Sequence, residues 1–168
     1  QGAVFHGHWQ LVQFLIESGA DAGFVNPDNG ETLLHLTFTK ANRPVREHVL
    51  DILLANGANP NLTTIADRDT GCFMRDSRTK AETALHRAAA FGSESMIRKL
   101  IDAGARIDAK DNCGDTPLSW ASWHLRPPHI LRLLCYGEHR IHPENQANYD
   151  HGDGWHQLDD YHRTKPQC

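Results

Sequence analysis

The sequence predicts an all-α protein built from stacked helix-turn-helix units. Two observations carry this prediction. Four segments of the 168-residue chain have the same apolar spacing before a glycine, and three of them follow a threonine placed to begin a helix. A repeat of about 33 residues is typical of a solenoid, in which each unit buries its apolar face against the next unit.

The shared segment reads as the second helix of each unit. It has apolar residues seven, four and three positions before the glycine. On a helix this spacing makes one apolar stripe, and the glycine supplies the left-handed residue beyond the helix end. The segments are LVQFLIESGA at 11–20, LDILLANGA at 50–58, IRKLIDAGA at 97–105 and ILRLLCYG at 130–137.

The threonine pattern reads as the start of the first helix. It occurs as TLLH at 32–35, TALH at 83–86 and TPLS at 116–119. A threonine hydroxyl can accept a hydrogen bond from a free N–H of the first turn, so threonine is a good N-cap. Pro117 falls where a missing N–H costs nothing. Each unit is therefore a pair of helices followed by a hairpin loop.

Together these patterns resemble the ankyrin repeat, D-x-x-G-x-T-P-L-H-x-A-A-x-x-G-H-x-x-x-V-x-x-L-L-x-x-G-A, which residues 111–137 nearly spell out. The resemblance covers about residues 3–137, and the first repeat is truncated, which leaves room for further repeats upstream. It implies an ankyrin-repeat domain at 1–137 followed by an irregular C-terminal cap or tail at 138–168. Within that domain the implied repeats are about 1–25, 26–61, 78–108 and 109–137, with an inserted loop at about 62–77.

Some residues depart from the family pattern. Ala81 stands where the family has glycine, so we expect the hairpin there to be remodelled. Leu125 and Arg126 replace the Gly-His of the turn between helices. Ser119 replaces a histidine, which removes one imidazole from the network that ties neighbouring repeats together in the family.

The resemblance implies an interaction module that binds a protein partner on the concave surface made by first helices and hairpins. Two tryptophans, a phenylalanine and an arginine on this strip are residue types that dominate interface hot spots. The alternative is that Trp120 and Trp123 pack against the tail or a neighbouring repeat. The predicted partner-binding residues of the strip are Lys40, Arg87, Phe91, Trp120, Trp123 and His124, and Leu36, Thr39 and Ala90 occupy equivalent positions.

The inserted loop is a second candidate surface. Phe73, Met74 and Arg75 are predicted either to project toward a partner or to fold back over the groove between repeats, because an exposed Phe-Met pair is costly without a partner. In the tail, Ile141 and Trp155 are among the residues that either cap the last repeat or belong to a disordered extension.

Composition argues against most other functions. A net charge of -4 with scattered basic residues does not favour nucleic-acid binding, and no apolar run is long enough to insert into a membrane. We find no phosphate-binding loop, catalytic motif, cofactor signature or small-molecule substrate signature. We therefore predict no catalytic residues, no cofactor and no enzymatic activity.

The histidines and cysteines do not form a recognisable set of metal ligands. The twelve histidines match no zinc spacing, and His35 and His86 belong to the repeat itself as buried hydrogen-bonding residues. The four cysteines lie far apart, so we expect reduced thiols in a cytoplasmic or nuclear protein. No metal site is predicted.

One modification follows from the resemblance. Hairpins of the form G-A-x-x-N are targets of asparaginyl hydroxylation in the family, and residues 57–61 place Asn61 at that position.

Three functions fit the sequence. The preferred one is an adaptor or scaffold within a larger protein or complex. The second is an ankyrin-type inhibitor that sequesters a transcription factor, as inhibitors of the kappa B class do, although no acidic tail supports it. The third is the substrate-targeting part of a ubiquitin ligase or enzyme complex, for which the catalytic motif must lie outside these residues.

Overall fold

The computed structural model describes residues 1–38, 45–70 and 78–136. These residues form four consecutive pairs of helices, as the sequence predicts. No strand is present among them, and the extended segments form only isolated bridges. The helices are α1 Gly2–His6, α2 Trp9–Glu17, α3 Leu33–Thr37, α4 Val45–Ala55, α5 Ala84–Phe91, α6 Glu94–Asp102, α7 Pro117–Trp123 and α8 Pro128–Leu133.

The helices lie in two rows. The first helices of the pairs, α1, α3, α5 and α7, pack side by side, and so do the second helices, α2, α4, α6 and α8. One continuous core runs between the rows, because no pair can bury its apolar stripe alone. Its fully buried members include Leu34, Leu50, Leu53, Leu85, Ile97, Leu100, Leu118, Ile130 and Leu134. The prediction of an all-α solenoid is confirmed.

Each threonine pattern begins a first helix with a capping box. The backbone N–H of Thr32 donates to Nδ1 of His35 at 3.1 Å, while the Thr32 hydroxyl accepts from the His35 N–H. Thr83 and His86 repeat the first of these contacts at 3.1 Å. Two otherwise unpaired donors of the first turn are thereby satisfied reciprocally.

The same imidazoles join adjacent repeats. Nε2 of His35 lies 3.0 Å from the carbonyl oxygen of Glu82, and Nε2 of His86 lies 3.0 Å from that of Asp115. A carbonyl can only accept, so Nε2 carries the proton and Nδ1 accepts from threonine. Both rings are therefore neutral. Burial lowers the pKa of His86, and burial together with the charge of Arg87 lowers the pKa of His35 to about 3.

Two arginines also form hydrogen bonds between adjacent pairs of helices. Arg46 at the start of α4 is buried, and its Nη2 donates to the carbonyl of Phe5 at 2.9 Å. Arg126 donates to the carbonyls of Ala90 and Gly92 at the end of α5, the first of these at 2.8 Å. A residue that departs from the family's Gly-His turn thus satisfies carbonyls at the end of the preceding first helix.

The hairpin at Ala81 keeps the conformation that glycine has elsewhere. Ala81 has a φ of 56°, close to the 72° of Gly30 and the 84° of Gly114, which stand at the equivalent positions two residues before a capping threonine. The prediction that alanine remodels this hairpin is therefore wrong at Ala81 itself. The residue takes the left-handed conformation at a steric cost.

The described parts of the inserted loop form two antiparallel arms. The N–H of Thr64 donates to the carbonyl of Glu82, and the N–H groups of Asp67 and Thr79 donate across the arms. One arm also contacts the second repeat. The backbone nitrogen of Ile65 lies so close to Gly30 that a Cβ atom built on this glycine would be only 2.8 Å away from it. The insertion thus extends the hairpin of the third repeat.

None of the helices in these three described stretches is long and apolar enough to cross a membrane.

The neutral histidines predict a loss of stability in acid. Because the folded-state pKa of His35 is lowered from 6.5 to about 3, the unfolded chain takes up its proton first as the pH falls. The contribution of His35 to the free energy of unfolding is therefore fully present above pH 6.5. Between pH 6.5 and the lowered pKa it decreases by about 1.4 kcal/mol per pH unit. Urea unfolding at pH 7.5 and pH 5 measures this loss.

The His35→Gln variant separates this contribution from the rest of the chain, because glutamine can still form a capping box. We expect a shallower pH dependence in His35→Gln and an unchanged one in the control His48→Gln, whose side chain is exposed. Equal pH dependence in His35→Gln and the original chain would contradict the assignment.

Leu125 predicts a stabilising substitution. This residue is 90% exposed and has a φ of 49°, a conformation that costs a leucine about 1–2 kcal/mol. We expect Leu125→Gly to raise the free energy of unfolding by about 1 kcal/mol, since glycine adopts this conformation without strain. Leu125→Ala keeps the strain and is the control. If Leu125→Gly and Leu125→Ala change the free energy of urea unfolding equally, backbone strain at this residue does not explain the change.

Candidate functional site

Helix α7 presents two indole rings on one face. Trp120 and Trp123 are three positions apart, which places them on the same side of a helix. Pro117 and the capping threonine Thr116 fix where that helix begins, and the buried Leu118 and Ala121 turn its other face into the core. The core thus determines which way the tryptophans face.

A cavity of about 220 Å³ opens beside these rings, which we call the tryptophan pocket. It lies between α7 and the hairpin of the preceding repeat. Cavities that hold drug-sized molecules measure about 300–1,000 Å³, so this one has room for roughly a single side chain. Its walls are formed by Lys80, Asp115, Ser119, Trp120, Trp123 and His124.

Trp120 is held rigidly as one wall of the pocket. Its Nε1–H donates to Oδ2 of the buried Asp111 at 3.0 Å. Its ring meets His86 edge to face, with centroids 5.5 Å apart. The alternative that Trp120 packs against the neighbouring repeat is therefore correct for part of its ring, while the half-exposed remainder lines the pocket.

Trp123 is the accessible wall. Its side chain is 45% exposed, and the ammonium of Lys80 lies 5.9 Å from its ring centroid. That distance is within the range of a cation–π contact. The backbone of Lys80 is fixed to the next repeat, because its carbonyl accepts a 2.8 Å hydrogen bond from the N–H of Asn112.

The floor of the pocket is acidic. Asp115 lines it, and burial together with the nearby charge of Asp111 raises the pKa of Asp115. Asp111 is fully engaged, because Oδ1 accepts from the N–H groups of Cys113 and Asp115 at 2.9 Å each while Oδ2 accepts from Trp120. Two carboxylates thus lie close to two indoles.

Asp111 and Asp115 also belong to a cluster of possible metal ligands. Ligand atoms of Asp111, Cys113 and Asp115 lie within 4.8 Å of one another. However, the oxygens of Asp111 are already taken by hydrogen bonds, and Cys113 is disulfide-bonded, so its sulfur is not a free thiolate. The expectation that all four thiols are reduced is wrong for Cys113. Cys135 is a free, buried thiol, and burial raises its pKa to about 11.

Phe91 and His124 extend the surface beyond the pocket. Their rings meet edge to face with centroids 4.6 Å apart. Phe91 is half-buried at the end of α5 and His124 is exposed after α7. The structure therefore brings four of the predicted strip residues together across the third and fourth pairs of helices: Phe91, Trp120, Trp123 and His124.

Arg87 lies inside the protein and does not belong to this surface. Its side chain is fully buried, with Nη1 2.7 Å from Oε1 of Glu31 and Nη2 2.6 Å from Oε1 of Glu82. The prediction that it binds a partner is wrong, because the two hairpin carboxylates draw the guanidinium inward. Leu36 and Ala90 are buried as well. The remaining predicted residues, Lys40, Phe73, Met74 and Arg75, lie outside the described residues, as does Thr39.

Asn61 joins two hairpins. Its Nδ2 donates to the carbonyl of Gly104 and its Oδ1 accepts from the N–H of Arg106, both at 2.9 Å. The residue is exposed. Hydroxylation at Asn61 stays a prediction, which the mass of the peptide containing it decides, since the modification adds one oxygen.

A larger cavity of about 310 Å³ lies at the other end of the stack. It is lined mainly by apolar groups such as Val12, Leu15 and Phe24 between α1, α2 and the following hairpin. No convergent polar side chains are present there apart from Gln1 and Asp21. We place the candidate site at the tryptophan pocket, where charge and aromatic surface converge.

Sequence reasoning missed Lys80, Asp111 and Asp115. All three lie on hairpins, whereas the predicted strip was drawn from the first helices. A usable signal was present for Lys80, because it precedes its capping threonine by three residues, as Cys113 does in the next repeat. Hairpins of adjacent repeats therefore lie side by side, which places Lys80 next to the acidic hairpin of the last repeat.

Comparisons with known proteins identify the family. A family model described as "Ankyrin repeats (3 copies)" matches residues 46–147. The chain is similar to three longer proteins, of which it spans only a part. They are ankyrin repeat domain-containing protein SAT10 of Stachybotrys chartarum (36% identical, 78% of this chain and 6% of that protein), putative ankyrin repeat protein FPV031 of fowlpox virus (32%, 77% and 36%), and palmitoyltransferase ZDHHC13 of Mus musculus (26%, 77% and 24%).

The family match agrees with the structure, which has stacked helix pairs, capping threonines and histidines that bridge adjacent repeats. Ankyrin repeats form a non-catalytic fold that generally serves protein–protein interaction. The chain belongs to the ankyrin-repeat family.

Proposed function

We propose that this chain is an interaction module, acting as an adaptor or scaffold, that binds a protein partner on the tryptophan pocket and the adjoining Phe91–His124 surface. The observation that carries the proposal is Trp123, a large apolar side chain that is 45% exposed beside a cavity. Trp123 lies outside the buried core cluster, so stacking of the repeats does not account for it.

The physical character of the surface supports this proposal. Tryptophan is enriched among residues that dominate binding energy, and such residues fill well-formed pockets at the centre of an interface. Trp120 is already fixed by Asp111 and His86, so little side-chain freedom is lost when a partner binds. A preorganised aromatic wall with an acidic floor suits recognition of a protein side chain.

A second proposal concerns the longer protein. One similar protein is named a palmitoyltransferase, and this chain aligns to 24% of it. The repeats therefore fit the targeting part of an enzyme or ligase complex whose catalytic residues lie elsewhere. No feature of the described stretches favours an inhibitor of the kappa B class.

We propose a cytoplasmic or nuclear location, as the sequence predicts; the disulfide at Cys113 argues against it, because these compartments keep thiols reduced. We also propose the repeat boundaries given in the sequence analysis, with residues 138–168 as a cap or tail.

Truncating Trp123 tests the interaction surface. We expect Trp123→Ala to weaken partner binding by about 2 kcal/mol, or about 30-fold, as for a hot-spot aromatic side chain. The readout is affinity purification with mass spectrometry using the immobilised chain, followed by titration calorimetry with the partner recovered. Circular dichroism checks that Trp123→Ala keeps its helix content.

The matched control is Phe14→Ala. Phe14 is an aromatic side chain on α2 that is 62% exposed and lies in the first pair of helices. The partner should be retained by Phe14→Ala and lost by Trp123→Ala. Retention of the same partner at equal affinity by both variants would rule out the tryptophan pocket as the binding surface.

A further inference from the structure

We infer that the tryptophan pocket receives a basic side chain, lysine or arginine, from the partner protein. This inference rests on the proposed function and names the chemistry that the pocket recognises. Three features of the pocket support it, namely the charges around the cavity, the arrangement of the two indoles and the position of the chain's own Lys80.

The charges near the pocket sum to a negative value. Asp111 and Asp115 contribute two carboxylates, Lys80 contributes one ammonium, and His124 is an imidazole at the rim. Neither carboxylate forms a salt bridge to a cation within the described stretches. The pKa of Asp115 is raised by burial and then by the neighbouring Asp111, although Lys80 and a hydrogen bond from Ser119 act in the opposite direction. A bound cation would relieve this repulsion.

The aromatic walls also favour a cation. The face of an indole carries negative electrostatic potential, and tryptophan gives the strongest cation–π contacts among the side chains. The chain demonstrates this preference itself, because the Lys80 ammonium lies over the Trp123 ring, 5.9 Å from its centroid. Lys80 therefore occupies the position that a partner's ammonium or guanidinium would take, and it must move aside when the partner binds.

The size of the pocket limits the ligand to one side chain. A volume of about 220 Å³ is below the range that holds drug-sized molecules, yet it accommodates an aliphatic stem with a charged end. Trp120 and Trp123 would flank the stem, while Asp115 would face the charged end. An acidic side chain would be attracted by Lys80 but repelled by the carboxylate of Asp115 in the wall of the pocket and by that of Asp111 behind it.

The test uses three small probes that differ only in the side chain: the N-acetyl N-methylamides of lysine, norleucine and glutamate. Two-dimensional NMR follows the indole Nε1–H signals of Trp120 and Trp123 during titration of the full chain. We expect the lysine probe to shift both signals saturably and to bind at least threefold more tightly than norleucine, with no saturable binding of glutamate.

Two substitutions sharpen the test. Lys80→Met removes the competing ammonium and should tighten binding of the lysine probe about threefold, whereas Asp115→Asn should weaken it by a similar factor. Lys99→Met is the control, because Lys99 pairs with Glu47 and Asp51 on the second row of helices. It should leave binding unchanged.

The outcomes separate this inference from the proposed function. Equal or tighter binding of norleucine would show an apolar pocket, and tighter binding of glutamate would show an anion pocket organised by Lys80. Either result overturns the inference while the loss of the partner in Trp123→Ala still stands. If Trp123→Ala keeps its partner while the lysine probe binds as expected, the proposed function fails and the chemical preference of the pocket remains.

Discussion

The hydrogen bond between Nε2 of His86 and the carbonyl of Asp115 connects the fold to the candidate site. On one side the same ring completes the cap of α5 through Thr83, and on the other it supports the Trp120 ring. The position of the acidic hairpin therefore depends on how α5 begins. A local rule of helix capping thus becomes a constraint on the geometry of the tryptophan pocket.

Buried charge adds a second constraint between repeats. Arg87 lies between Glu31 and Glu82, which belong to two successive hairpins, and Glu82 also accepts from the hydroxyl of Thr64 at 2.6 Å. Burial alone would raise the pKa of Glu82, but Arg87 and the hydrogen bonds hold it at about 2. Removing the guanidinium would leave two buried carboxylates without their counter-ion, which is strongly destabilising. The insertion is joined to the stack through this cluster.

The repeating parts of the fold could be predicted from the sequence, because helix periodicity and capping are local. The spacing at 97–105 and the threonine at Thr83 depend only on nearby residues. Arg87 could not be placed correctly, because its burial depends on Glu31, which is 56 residues earlier in the chain. Its position after the family's histidine indicated a surface residue, and two distant acids reversed that outcome.

The candidate site could be predicted only where it depends on local sequence. Trp120 and Trp123 lie on a predicted helix, so their common face followed from their spacing. Lys80 and Asp115 come from hairpins of different repeats, and their proximity depends on the register of the stack. The insertion between Asn61 and Thr83 changes the usual number of residues in this hairpin, so the alignment of adjacent hairpins could not be deduced from the repeat period.

The ¹⁵N spectrum of the His86 imidazole tests this account most directly. A ring that bridges Thr83 and Asp115 must carry its proton on Nε2 and leave Nδ1 unprotonated at neutral pH. The account predicts that burial keeps the pKa of His86 below that of a free imidazole, so the ring takes up a second proton only at a lower pH. A proton on Nδ1 at neutral pH, or titration of His86 near pH 6.5, would contradict it.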